Sequence, residues 1–551
     1  HRRACRYPKA ATALERALRL LLQHEPFAES GELAGGGTGR VTLAEHVEEV
    51  ARCRQQLGQV YYEDGHYLRA AEQQQLALTA LEGVEKNVEA AAAAAAALGR
   101  SRQAIGDTAG ARELQEAALK RRRELHGSGH VSVASSLLLS AEALQEAGET
   151  EEAFFRTERA LGIYRKSYGE QHLATARAME ATGRLYLDQG NAKKAHELLR
   201  KALATRRKLL SPDEPNADTA SSLDLLARAQ RLGFQTRAAV ESHDEALLMR
   251  KQIFGDAHPF VADAYAELAR SLRQHGNAAL ATAMQQLCVN IRMEAGQDSM
   301  QLAAALDELG NYLLDEGKFA RAEEALKQSL QLKEEVAASN RAAIADSYEI
   351  LGLLFKKMNH NEKAFQYLQD CLKIRREVAG SKSEIVLHTL DCIGSLHIQM
   401  GRFRDAEKIL QESLEGKSTS SEAATSSTAA KSFALLGELY YAQGNVSMAI
   451  DYIEKGHALC DLLFGSLHPQ TVSFLQLKGK VLAHQGNIAL AEETLMNSLK
   501  MLQEGLDDGH PSIAQVCETI GLIQEDSATA IPWLEDSLDI RKNRLGEEHL
   551  E

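Results

Sequence analysis

Six histidines recur at one place in the rhythm of the chain: His130, His172, His258, His468, His510 and His549. Three of them precede a proline, at Pro259, Pro469 and Pro511. Imidazoles in register invite a metal. Successive copies, however, stand a full repeat apart and not i, i+4 on one helix, so no metal cluster follows from them. A structural place just ahead of a helix, with proline in its first turn, fits them better. The charged candidates have the same kind of spacing. Asp307, Glu349 and Asp391 follow at intervals of 42, and Arg184, Arg270 and Asn311 fall four residues later in the same period. These six are expected to line a groove that grips partner proteins, with basic zones beside an acidic central strip. Basic pairs (Arg122-Arg123, Arg206-Arg207, Arg375-Arg376, Arg541-Lys542) are read as cations offsetting helix dipoles at C-termini. The chain has no G-x-x-x-x-G-K-[ST], no G-x-G-x-x-G after a strand, no H-E-x-x-H and no G-x-S-x-G. No Ser/His/Asp or Cys/His set stands out. The expectation is a non-enzyme with no cofactor, no metal and no small-molecule substrate.

The chain has 551 residues, with 63 basic and 77 acidic side chains and a net charge of −14. Residues 1–250 carry 35 basic and 34 acidic side chains, so the excess lies in the second part. A general nucleic-acid binder needs surplus cation, so nucleic acid is not an expected partner. The seven cysteines are odd in number and widely spaced, which argues against a disulfide framework and a structural zinc site. No apolar run approaches the roughly 18 residues of a membrane span. These features suggest an intracellular, reducing compartment, cytoplasmic or cytoskeletal/ciliary, with a mitochondrion or plastid as the alternative. The arginine-rich start reads as the end of a truncated repeat.

What must position these residues is a repeat. Turn residues occur at Gly65, Gly106, Gly148, Gly190, Gly233, Gly276, Gly317, Asn359, Gly401, Gly444 and Gly486, with gaps of 41 to 43. Five residues after each comes alanine, as in Ala70, Ala195, Ala322, Ala364 and Ala406. Seven residues before it lies a small residue, as in Gly58, Gly183, Gly310, Gly352 and Gly394, with Leu226 the exception. A third small position follows the alanine by seven, filled by Ala77, Cys288, Ser329 or Cys371, with Glu245 departing as if one residue were inserted. Two antiparallel helices joined by a tight turn approach closely only where side chains are small. One such hairpin cannot bury its apolar face alone, so hairpins must stack. The expected fold is all-α, a right-handed superhelical solenoid of about thirteen antiparallel hairpins.

Small residues at relative positions 8, 20 and 27 around a turn resemble the tetratricopeptide repeat. The longer period and linkers such as IFGDAHPFVA from Ile253 and LFGSLHPQTV from Leu463 resemble the kinesin light chain type. The resemblance implies that the first helix of each hairpin lines an inner face and that partners are proteins. One departure matters. Light chains carry an asparagine ladder two residues before position 8, and here those places hold Gln56, Ala97, Leu139, Ala181, Asp224, Glu267, Glu308, Ile350, Cys392, Leu435 and Leu477. The heptad coiled coil that joins light chains to the motor is also missing.

Residues 1–30 are read as a partial repeat, 31–40 as a flexible Gly-rich loop, 41–414 as the main array, 415–431 as a Ser/Thr-rich surface insertion and 432–551 as C-terminal repeats. The expected function is an interaction scaffold or adaptor capturing partner peptides. The alternative is a constitutive subunit of a ciliary, cytoskeletal or organellar assembly, touching neighbouring subunits through its outer faces. A helical-repeat RNA binder ranks third.

Overall fold

The computed structural model describes residues 6–23, 43–82, 87–210, 215–296, 299–336, 341–418, 427–506, 509–524 and 526–545. Among them are 25 α-helices and no strand. Their contacts divide the chain into two units, residues 1–233 with 242–256, and residues 234–241 with 257–551. The first contains α1 (Arg6–Gln23), α2 (Leu43–Glu63), α3 (Tyr67–Glu82), α4 (Val88–Ile105), α5 (Thr108–His126), α6 (Val131–Glu146), α7 (Thr150–Tyr168), α8 (Leu173–Asp188), α9 (Ala192–Leu209) and α10 (Ala217–Leu232). Helix α11 (Thr236–Phe254) belongs to the first unit from Ser242 onward. The second contains α12 (Pro259–Gln274), α13 (Ala278–Glu294), α14 (Ser299–Asp315), α15 (Phe319–Val336), α16 (Arg341–Lys357), α17 (Asn361–Ala379), α18 (Glu384–Gln399), α19 (Phe403–Ser418), α20 (Ser427–Ala442), α21 (Val446–Phe464), α22 (Pro469–His484), α23 (Ile488–Gly505), α24 (Pro511–Ile523) and α25 (Ser527–Leu545).

Even-numbered helices are the first (A) members of hairpins and odd-numbered ones the second (B). Each described A helix from α2 onward, α10 aside, packs on its own B helix, and B helices, α11 aside, pack on the next A helix of their unit, as α3 does on α4. Small residues set these approaches. A Cβ on Gly310 would stand 2.6 Å from the Leu326 side chain, and one on Gly352 would stand 2.7 Å from that of Leu368. The residue facing the glycine is thus the leucine one turn beyond the alanine. Ala70, Ala195, Ala322, Ala364 and Ala406 are wholly buried.

Ten of the eleven expected turn residues hold positive φ, Asn359 among them at 58°. The exception corrects the register. Gly233 has φ −85°, and Phe234 takes the left-handed place with φ 57°. Counted from Phe234, the small positions are Ala227, Ala239 and Ala246, all wholly buried. A slip of one residue therefore removes the Leu226 and Glu245 exceptions together.

The linker histidines are helix caps. Nδ1 of His130, His172, His258, His468 and His510 accepts the backbone N–H two residues on, at 3.1–3.2 Å. This fills one orphan donor at the start of an A helix. Asp107, Asn191, Asn277 and Asn445 do the same for B helices. His549 and the Gly-rich loop at 31–40 lie outside the described residues, as does the 419–426 part of the Ser/Thr-rich stretch. Its first residues continue α19 to Ser418, and α20 begins at Ser427.

Candidate partner-binding faces

Within each unit, A helices also touch the A helix of the next hairpin. In the first unit α2 meets α4, α4 meets α6, α6 meets α8 and α8 meets α10. In the second, the series runs from α14 through α16, α18, α20 and α22 to α24. Such next-but-one contacts put the A helices on the inside of each unit's curve.

The acidic strip expected there is turned the other way. Asp307, Glu349 and Asp391 are 8 %, 8 % and 4 % exposed. Each is clamped by a cation 26 residues later on its own B helix: Lys333, Arg375 and Lys417. Lys417 Nζ lies 2.6 Å from Asp391 Oδ2 and also donates to the Thr428 carbonyl at 3.1 Å and to Ser432 Oγ at 2.7 Å. Ser432 donates back to Asp391 at 2.9 Å. Lys333, Asp307 and Ser347 repeat the triangle two hairpins earlier, and in the hairpin between them Arg375 donates to Thr389 Oγ1 at 2.7 Å. The same spacing pairs Arg206 with Glu180, 2.5 Å apart, and Arg250 with Asp224 in the first unit. A buried charge is tolerable only when paired and hydrogen-bonded. These carboxylates therefore tie helix A, helix B and, where the hydroxyl is present, the next helix A.

Sequence reasoning missed Glu180 and Asp224, and the signal was available. The position three before the small residue holds the acid, and the position eleven after the alanine holds the base. The one-residue slip hid Asp224 from this series. The basic pairs do place cations in last turns, at Arg123, Arg206, Arg207 and Arg376, but Arg122, Arg206 and Arg375 are buried. Their neighbours Arg207 and Arg376 reach outward to Glu245 and Glu412. The supposed insertion also surrenders its start, since Lys417 is 1 % exposed.

The other three candidates do reach the inner face. Arg270 is half-exposed and bridges Glu267 at 2.5 Å and Glu308 at 2.7 Å. Arg184 stands 4.0 Å from Glu142, and Asn311 is partly exposed. The equivalent position on α20 holds Glu438, exposed to solvent, whose carboxyl is nevertheless pushed up by surrounding protein against the pull of Lys356 and Lys480. In the first unit Tyr62 behaves similarly. Burial raises its hydroxyl pKa while Arg100, Glu142 and Arg177 from three other A helices act on it, and Arg100 lies over its ring at 5.6 Å.

Two tetratricopeptide-repeat family models match the chain, one at residues 90–166, 157–208, 301–377 and 427–504, the other at 219–260 and 386–417. Together they span more than half of it. The chain belongs to the tetratricopeptide-repeat family, whose fold is typically a non-catalytic protein-interaction scaffold. Among solved structures it is similar to BtubC (BKLC) from P. vanneervenii, at 20% identity over 45% of this chain and 92% of that one, with TM-score 0.35. It is also similar to a Podosopora anserina putative kinesin light chain with nearly identical TPR-like repeats, at 25% identity over 37% and 96%, TM-score 0.31. The apo form of RapI matches at 14% identity over 68% and 98%, TM-score 0.45. No curated protein matches the chain. No described helix is long and apolar enough to cross a membrane.

Proposed function

We propose that the chain is an adaptor whose inner A-helix faces take extended segments of partner proteins. The observation that carries this is the set of half-exposed polar side chains there, Arg184 in the first unit and Arg270, Asn311, Lys356, Glu438 and Lys480 in the second, with charges of both signs. Lys356→Glu with Lys480→Glu is the test. Partner capture falls at least tenfold while helicity by circular dichroism is unchanged; undiminished capture contradicts the reading.

One observation favours the alternative, a constitutive subunit of a larger assembly. B helices leave large apolar side chains uncovered, including Phe155 at 60 % and Leu462 at 78 % exposure. Leu462→Asp separates the two, since it abolishes association only if the outer face is the interface.

A further inference from the structure

The strongest unassigned cluster lies on the inner side of the second unit. His388 and Cys392 stand i, i+4 on α18 and so share a face, and Glu349 reaches them from α16. Glu349 Oε1 is 2.7 Å from His388 Nδ1 and 3.5 Å from Cys392 Sγ, and Sγ is 3.9 Å from Nδ1. Donor atoms this far apart share a centre about 2.0–2.3 Å from each, the length of zinc bonds to oxygen, nitrogen and sulfur. Among the described residues these three are a group of metal-type donors within 4.8 Å of one another.

The carboxylate is prepared for the task. Its other oxygen, Oε2, is held by Arg375 Nη1 at 2.5 Å, and Arg375 is itself fixed by Asp346 at 2.7 Å and Thr389 at 2.7 Å. Oε1 is thereby aimed at the histidine and the thiol, the kind of supporting contact that orients metal ligands. His388 keeps 34 % of its side chain exposed and Cys392 is partly exposed, so an ion has a way in.

We propose that Glu349, His388 and Cys392 bind one zinc-class divalent ion, joining α16 to α18 and leaving a fourth position open toward the inner face. Thiolate with imidazole selects zinc over magnesium or calcium, and three protein ligands leave one site for water or a partner's side chain. Binding releases one proton to solvent, from the Cys392 thiol. The Nδ1 proton that His388 now donates to Glu349 passes to Nε2, which frees Nδ1 for the ion. This differs from the sequence expectation of no metal. The histidine–cysteine spacing was visible, but its third donor lies one repeat earlier.

Cobalt(II) titration of the full chain, followed by absorption, tests it. A thiolate-to-cobalt charge-transfer band should saturate at one ion per chain and vanish on adding zinc. Cys392→Ser should remove the band, His388→Ala should weaken binding at least tenfold, and Cys460→Ser should leave it unchanged. No thiolate band in the folded parent chain, or a band that survives Cys392→Ser, overturns the proposal. If Cys392→Ser fails to fold, alkylation of the parent chain decides: zinc protects Cys392 if the site exists and leaves its rate unaltered if it does not.

Discussion

Lys417 shows how far a single side chain can be committed to the fold. It is buried with Asp391, Ser432 and a carbonyl, so its charge, carried on α19, has partners in two other helices, α18 and α20. Lys417→Met strands Asp391 and should cost about 3–5 kcal/mol in urea unfolding, whereas Lys417→Met with Asp391→Leu should recover most of that loss. His468 makes a different prediction. Its ring stacks on Phe464 at 4.4 Å and meets Phe234 edge-on at 4.2 Å, and burial pushes its pKa down to about 4. The unfolded chain, with an ordinary histidine near 6.5, takes up the proton first. The stabilising neutral cap is therefore fully present above about pH 6.5 and is lost as pH falls toward 4. His468→Asn keeps a capping acceptor that does not titrate and should flatten the fall in melting temperature between pH 7 and 4.5.

At the scale of the element, the hairpin was readable because its determinants are local and repeated: small residues seven before and five after a left-handed turn. Ala322→Arg, Ala364→Trp or Gly310→Val should each destabilise by roughly 1–3 kcal/mol or more by overpacking, as measured by denaturant unfolding. A neutral result at all three would contradict the assigned register. The sequence misled where glycine and its conformational role part company: Gly233 looks like the turn residue, yet Phe234 occupies the left-handed backbone. It misled again over the acids. A charge on an A helix reads as solvent-facing until its partner 26 residues away is paired with it. Partial exposure was thus legible at Arg184, Arg270 and Asn311, and burial at Asp307, Glu349 and Asp391 was not. Burial depends on which neighbour each carboxylate meets, and spacing along one helix does not give that.

At the largest scale, the second unit closes on itself through contacts that no local pattern announces. His510 Nε2 lies 3.1 Å from the Gln274 carbonyl, and the Gly276 turn sits against Pro511. Phe234 on His468 repeats that contact one hairpin earlier. A cavity of about 410 Å³ lies beside this seam, lined by Arg270, Arg273 and Pro469 among others. A Cβ at Gly276 would fall 2.3 Å from Pro511, whereas one at Gly401, also in a left-handed turn, would meet nothing within 4 Å. Both alanine variants pay about 1–2 kcal/mol of backbone strain. Gly276→Ala should lose more, because only it parts the seam, and the excess is measurable by urea unfolding.

The central claim is that partners are held on the inner faces. Lysine footprinting of the natively purified complex, read by mass spectrometry, addresses it directly. Lys356 and Lys480 should be shielded on partner binding, while Lys201, Lys327 and Lys455 on B helices keep their reactivity. Shielding of those B-helix lysines, with Lys356 and Lys480 still reactive, would contradict it.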